Sequence, residues 1–195
     1  MAQYVELSRG SFLVHNLCTQ EECLESIEAC EREGFSEAPV TTNQGPVMMS
    51  HIRDNERVMI DDAAWASRLY ERLKPFIPEH LATIPYKDRA YKAVGLNERL
   101  RFYRYQPGQS FKMHRDGYFQ RADSMERSFL TVLLYLNQSM TGGETLLYVG
   151  DTIDVTPETG QILCFRHELL HEAVPVETGR KYVLRTDVMY APEPL

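Results

Sequence analysis

Tyr105-Gln-Pro-Gly-Gln-Ser-Phe-Lys-Met-His114-Arg-Asp116-Gly117 decides the reading of this chain, together with a later segment that answers it, His167-Glu-Leu-Leu-His171-Glu-Ala-Val-Pro175. One residue separates His114 from Asp116, so in an extended backbone both side chains leave the same face and can grip one ion. Such a site needs a third ligand, and the later segment offers two candidates, His167 and His171. Spaced by an even number, they would share one face of a strand, so spacing does not choose between them. Two histidines and one carboxylate on one face of an octahedron leave three positions open, the arrangement of non-haem Fe(II) sites. An isolated His-x-Asp also arises by chance, and its bland reading is a solvated loop.

Around these residues the chain resembles the prolyl 4-hydroxylase-like branch of the Fe(II)/2-oxoglutarate oxygenases. The shared pattern runs from Tyr105 through Gly108, Phe111, His114 and Asp116, then Tyr135-Leu-Asn137, Gly142-Gly-Glu-Thr145, His171, Pro175, Gly179 and Lys181. The resemblance implies that His114, Asp116 and His171 are the catalytic metal ligands, since Pro175, Gly179 and Lys181 keep register with His171 and not with His167. It implies that Lys181 meets the distal carboxylate of 2-oxoglutarate with help from Tyr135, that Tyr105 and Tyr103 border this cosubstrate, and that Thr145 supports the pocket. Strand alternation puts Arg185 on the same face as Lys181, so Arg185 contends for the same carboxylate. An arginine would grip it bidentately, whereas a lysine supplies a point charge.

The cofactors so implied are Fe(II), 2-oxoglutarate and dioxygen, with ascorbate as an optional reductant. The implied reaction is hydroxylation of an unactivated C–H bond, foremost in a peptide or protein and at proline, with succinate and carbon dioxide as co-products. One scaffold hosts many substrates, so a small-molecule hydroxylase stands as a second reading and a metal-binding jelly-roll module without turnover as a third. A zinc hydrolase would leave unexplained a cation ten residues after the last ligand.

The 195 residues suit one domain, 1–195, with a sizeable core. No apolar run approaches the roughly 20 residues that a membrane helix requires, and the first residues lack the basic-then-apolar layout of a signal peptide. The expectation is a soluble cytoplasmic protein with no membrane partner. Cys18, Cys23, Cys30 and Cys164 show no Cys-x-x-Cys spacing, which fits reduced thiols. A formal charge of -7 argues against a nucleic-acid partner. From Arg99 to Arg127, however, seven basic residues stand against three acidic ones, so the site mouth reads as locally positive and suited to an anionic substrate, or as a solvated face of mixed charge.

Taken in order, residues 8–17 form an apolar entry segment, and Thr19-Gln-Glu-Glu22 is a capping box that opens a helix over about 20–33, ended by Gly34. Residues 36–57 are turn-rich, with Val47 to Met49 as a strand candidate, and the resemblance implies that this region, with His51 in it, is a substrate lid. Asp61-Asp62 opens a second helix whose Trp65, Leu69 and Leu73 share a face until Pro75 and Pro78, and Trp65 reads as core. Residues 79–97 read as irregular. From Leu100 the period changes to two, and strands follow at about 100–105, 128–137, 144–149, 152–155, 161–165 and 181–189. The expected class is α+β, mainly β: a double-stranded β-helix (jelly roll, cupin-like) core over about 99–190, backed by a helical and lid part over about 1–98.

Overall fold

The computed structural model describes residues 1–42, 45–82 and 90–193. The chain opens with the hairpin β1 (Gln3–Ser8) and β2 (Ser11–His15), followed by helix α1 (Gln20–Glu33). Next come β3 (Ser36–Glu37), β4 (Val40–Thr42), β5 (Gly45–Val47), β6 (Glu56–Asp61) and helix α2 (Ala63–Leu73). The strand-rich part comprises β7 (His80–Ala82), β8 (Ala90–Leu96), β9 (Arg99–Tyr105), β10 (Phe111–His114), β11 (Arg127–Tyr135) and β12 (Thr141–Gly142). It continues with β13 (Thr145–Tyr148), β14 (Thr152–Val155), β15 (Ile162–Arg166), β16 (Leu170–Ala173), β17 (Val176–Thr178) and β18 (Lys181–Pro192).

Two antiparallel sheets face each other. The larger runs β1-β2-β15-β11-β18-β9-β6-β3, with β8 on the far half of β18 and β7 beside β8; the smaller runs β10-β16-β13-β14. This is the mainly-β jelly roll expected, with two helices behind it. Alternation along β18 makes the division clear. Tyr182, Leu184, Val188 and Tyr190 join Leu69, Leu73, Cys23 and Cys30 in a core under the helices, while Val183 joins Leu163, Phe165 and Leu147 in a second core. The remaining residues of that second face, Lys181, Arg185 and Asp187, are charged and open onto a cavity.

Local chemistry explains most boundaries. The capping box forms as read: Glu22 N–H donates to Thr19 Oγ1 at 3.2 Å, and Thr19 N–H to Glu22 Oε2 at 2.9 Å. Asp62 alone caps α2, accepting from Trp65 N–H at 2.8 Å. Asp61 instead ends β6 and pairs with Arg99 at 3.1 Å, which corrects the reading of both acids as helix openers. Trp65 packs, partly buried, against the helix-covered core.

Three other expectations change. The entry segment 8–17 contributes to a hairpin whose β2 pairs with β15. Residues 79–97 are not irregular where described, since β7 pairs with β8 and β8 pairs with β18; residues 83–89 lie outside the described residues. The turn-rich 36–57 stretch yields strand at Gly45–Val47 rather than 47–49, and it ends in β6, whose polar ends hid it. Those ends are satisfied across the sheet: Glu56 sits opposite Arg104 and Asp61 opposite Arg99, each as an ion pair. Asn43 and Gln44, part of the turn read there, lie outside the described residues.

Leu134 is fully buried on β11, between β15 and β18. Leu134→Ala should lower stability by about 2–5 kcal/mol. In urea unfolding that would appear as a lower midpoint at unchanged slope.

Candidate active site

His114 and His171 are paired residues on β10 and β16, so antiparallel register sets their rings side by side, 4.2 Å between centroids. Asp116 lies just beyond the end of β10. The ligand atoms of His114, Asp116 and His171 all fall within 4.8 Å of one another. Each imidazole is fixed by its own backbone: His114 Nδ1 donates to the Lys112 carbonyl at 2.7 Å, and His171 Nδ1 to the Leu169 carbonyl at 2.9 Å. Both Nε2 lone pairs are therefore turned to the carboxylate, at 3.9 Å from Asp116 Oδ1 for His114 and 3.7 Å from Oδ2 for His171. Phe111 stacks on the His114 ring at 3.5 Å and holds its plane.

Protonation suits ligation. Burial pushes His114 down to about 4, with His171 adding to the shift, and burial likewise lowers His171. Burial would raise the Asp116 carboxyl, but Arg185, His171 and His114 outweigh it and hold it below the usual carboxylate range. Two neutral imidazoles and one carboxylate fit a divalent first-row ion.

The structure separates the two candidate histidines. His167 is not in the cluster but directly behind it. Thr131 Oγ1 donates to Asp116 Oδ2 at 2.6 Å, so it must accept from His167 Nδ1–H at 2.9 Å. On the other side Phe119 N–H donates to Ser128 Oγ at 2.8 Å, leaving the Ser128 hydroxyl proton for His167 Nε2, also at 2.8 Å. The His167 carbonyl accepts from Asp116 N–H at 3.0 Å. His167 thus orients the carboxylate ligand through both backbone and side chain.

Residues 100–186 match the family model described as the 2OG-Fe(II) oxygenase superfamily. That span of the chain belongs to the 2OG-Fe(II) oxygenase superfamily, and its facial triad is intact. An uncharacterized protein of Fowlpox virus (strain NVSL) is 31% identical over 121 residues, covering 62% of this chain. The match spans 27% of the length of that viral protein. Among solved structures, a Pseudomonas putida prolyl-4-hydroxylase superposes with a TM-score of 0.64 at 19% identity, covering 92% of this chain and 91% of its own. The viral collagen prolyl hydroxylase of Paramecium Bursaria Chlorella virus-1, in its 2OG complex, gives 0.60 at 16%, covering 93% and 96%. A prolyl hydroxylase of Trichoplax adhaerens, in complex with a hypoxia inducible factor peptide fragment, gives 0.65 at 17%, covering 93% and 84%. At these identities the likeness is one of fold.

In this oxygenase fold the triad opens onto a cavity of about 440 Å³ between the two sheets. Lys181, Arg185, Tyr103, Tyr105 and Thr145 line it; Tyr135, fully buried, stands behind and reaches it by donating to Thr145 Oγ1 at 2.8 Å. Lys181 is 1% exposed, and its Nζ donates to the Gly143 carbonyl at 2.6 Å and to Thr145 Oγ1 at 3.5 Å. Gly143 adopts φ +74°, and a Cβ there would lie 3.3 Å from Lys181 Cδ, so glycine permits this approach. Arg185 is committed elsewhere: its Nη2 lies 3.3 Å from Asp116 Oδ1 and 3.0 Å from Asp187 Oδ1.

Several site residues escaped the sequence reading. Arg53 and Ile52 come from the loop before β6, and Arg57 from β6 itself. Arg101 was counted among the basic residues of the mouth; Arg53 carries no local signal. The positive mouth has only part of the origin expected. Arg99, Arg104 and Arg121 are each neutralised by acids from other segments, whereas Arg101 and Arg115 of the same stretch do line the cavity, joined there by Arg53, Arg57, Lys181 and Arg185. His51 is exposed and is not among the residues lining the cavity.

The assignment of the two histidines can be checked with Mn(II) binding by calorimetry. His171→Ala and Asp116→Ala should abolish binding. His167→Ala should weaken it by roughly 10- to 100-fold, the effect of losing a group that orients a ligand. Equal retention in His171→Ala would overturn the triad.

Proposed function

We propose that the protein hydroxylates an unactivated C–H bond of a peptide or protein, as a prolyl 4-hydroxylase-like enzyme that consumes 2-oxoglutarate and dioxygen and releases succinate and carbon dioxide. The observation carrying this reading is Lys181. A buried ammonium held by a carbonyl, a hydroxyl and the faces of Tyr105 and Tyr135 at 5.4 Å, with no carboxylate in ion-pair range among the described residues, is costly to maintain. A dicarboxylate anchored at the metal by its keto-acid end would supply the missing charge. Arg185, already paired with two aspartates, is the weaker contender for that carboxylate.

In this reading Fe(II), when bound by His114, Asp116 and His171, supplies the oxidative chemistry. The chain's own residues place and protect. His167 and Thr131 hold the Asp116 carboxylate, Phe111 holds the His114 ring, and Lys181 with Thr145 and Tyr135 receives the cosubstrate's far end. Tyr103 and Tyr105 wall the space between, which keeps water from it. A metal module without turnover would have no use for the Lys181 pocket.

The peptide substrate is supported by the prolyl hydroxylases among the structural neighbours and by the exposed Tyr118 at the cavity wall, stacked 3.5 Å from the Arg127 guanidinium carbon. We further read residues 1–195 as one catalytic domain acting in the cytoplasm, with ascorbate as an added reductant. Four free, buried cysteines accord with a reducing compartment, and among the described residues no helix is long and apolar enough to cross a membrane. Mass spectrometry of candidate peptides should find a gain of one oxygen that requires both iron and 2-oxoglutarate. Oxygen gain independent of 2-oxoglutarate would refute the reading.

Lys181 also gives a pH dependence. Burial pushes its ammonium down to about 7 in the free protein. Only the protonated form attracts the carboxylate, so affinity for 2-oxoglutarate should be level below that value and fall as pH rises through it, by roughly tenfold per unit. Anaerobic calorimetry with Mn(II) measures this directly. Lys181→Ala should cost about 2–5 kcal/mol in 2-oxoglutarate binding with metal affinity little changed. Lys181→Arg should flatten the profile, because a guanidinium stays charged. A flat profile in the wild type would mean that the distal carboxylate is held elsewhere.

A further inference from the structure

The cavity holds more positive charge than the roles above absorb. Six cations line it, Arg53, Arg57, Arg101, Arg115, Lys181 and Arg185, against two carboxylates, Asp116 and Asp187. Loading leaves that imbalance in place, since a divalent ion and 2-oxoglutarate cancel each other. Asp187 holds Arg101 at 3.1 Å and Arg185 at 3.0 Å, and Arg115 donates to the Glu168 carbonyl at 2.9 Å. Arg53 and Arg57 remain, neither with an ion pair among the described residues.

Arg53 is 5% exposed. Its Nε donates to Asn55 Oδ1 at 2.8 Å, and its guanidinium carbon lies 4.5 Å from the ring centroids of both Tyr103 and Phe111. Its Nη2 is buried without a hydrogen-bond partner. Arg185 Nε, on the wall of the same cavity, is likewise buried without a hydrogen-bond partner. Buried polar groups are normally paired, so the wall is built for a ligand that it does not itself supply. Register places Arg57 beside Arg53, because Arg57 on β6 is the cross-strand partner of Tyr103, over whose ring Arg53 lies. Burial lowers the Arg57 pKa, and although Tyr103 opposes the shift, Arg53, Arg101 and Arg185 add to it. An arriving anion would relieve that repulsion.

We propose that Arg53 and Arg57 form an anion subsite for the substrate, so that the molecule hydroxylated carries a carboxylate or a phosphate near the reacting C–H bond. The inference rests on the oxygenase reading and sharpens its substrate class. The cosubstrate does not account for these arginines. One of its carboxylates belongs to Lys181, opposite Tyr105 and one alternation along the strands from the Tyr103–Arg57 row, and the other belongs to the metal. An aspartate or glutamate beside the target residue would supply the carboxylate, and a phosphorylated residue the phosphate.

The test titrates inorganic phosphate, and separately acetate, into the Mn(II)- and 2-oxoglutarate-loaded protein under anaerobic calorimetry. Saturable binding of at least one anion is expected. It should weaken by at least about tenfold in Arg57→Gln and recover in part in Arg57→Lys, while 2-oxoglutarate affinity stays within about twofold. Stronger binding of phosphate identifies a phosphorylated substrate, and stronger binding of acetate a carboxylate. Thermal unfolding checks each variant, and Arg53→Gln is read only if it folds. The proposal is overturned if neither anion binds the wild type, if Arg57→Gln binds equally well, or if the anion competes with 2-oxoglutarate. Absence of 2-oxoglutarate binding in the wild type would instead refute the oxygenase reading. Phosphate binding to the metal-free protein, lost in Arg57→Gln, would still uphold the arginine subsite.

Discussion

Lys181, Arg185 and Asp187 leave one face of β18 near the middle of the large sheet, and burying three charges there is tolerable only if each finds a partner. Asp187 takes Arg101 and Arg185, and Arg185 reaches on to Asp116. A continuous line of alternating charge therefore runs from the back of the cavity to the carboxylate ligand. Asp116 in turn faces both ligand histidines. Lys181 stands outside this line. The opposite face of the same strand is apolar and carries the helices, so one strand is at once the centre of the core and the floor of the site.

The smaller sheet does different work. It contributes almost no charge and fixes geometry through backbone. The pairing of β10 with β16 sets His114 opposite His171, and two carbonyls two residues upstream, those of Lys112 and Leu169, choose the tautomer of each ring. Because both choices are made by strand geometry, they survive changes in most surrounding side chains. The carboxylate has no such backbone device for its oxygens, and there the chain uses Thr131 and His167 instead. This explains why a second histidine lies so close in sequence to the ligand without joining it.

That closeness also shows where sequence reasoning ran out. Even spacing would put His167 and His171 on the same face only if one strand contained both. In the structure β15 ends at Arg166 and β16 begins at Leu170, so a turn intervenes and the two residues serve different sheets. Features with a local cause were legible: the Thr19–Glu22 capping box, the His-x-Asp face, the period-two strands from Leu100 and the close approach at Gly142-Gly143. Features whose cause is non-local were not. β6 reads as a polar loop until Arg104 and Arg99 are placed opposite its acids, and β8 reads as irregular until β18 lies beside it. Of the basic residues counted over 99–127, Arg99, Arg104 and Arg121 are neutralised by acids from other segments and Arg101 and Arg115 reach the cavity, where cations from β6, β18 and the loop before β6 join them.

The triad and the arginines of the cavity wall come from different parts of the chain. The triad, Thr145 and Lys181 all lie inside the 100–186 span shared with the oxygenase superfamily. Arg53 and Arg57 lie outside that span, on the loop and strand that cover one side of the cavity. Arg57 meets the rest of the site across β9, whereas the loop of Arg53 also bridges to β10 at Phe111, the ring stacked on His114. Charge placed on that wall acts at short range in a space partly closed to water, where an unpaired guanidinium discriminates strongly between an anion and a neutral group of the same shape. In the proposed reading, substrate choice rests on this wall, and oxidation on the triad beside it.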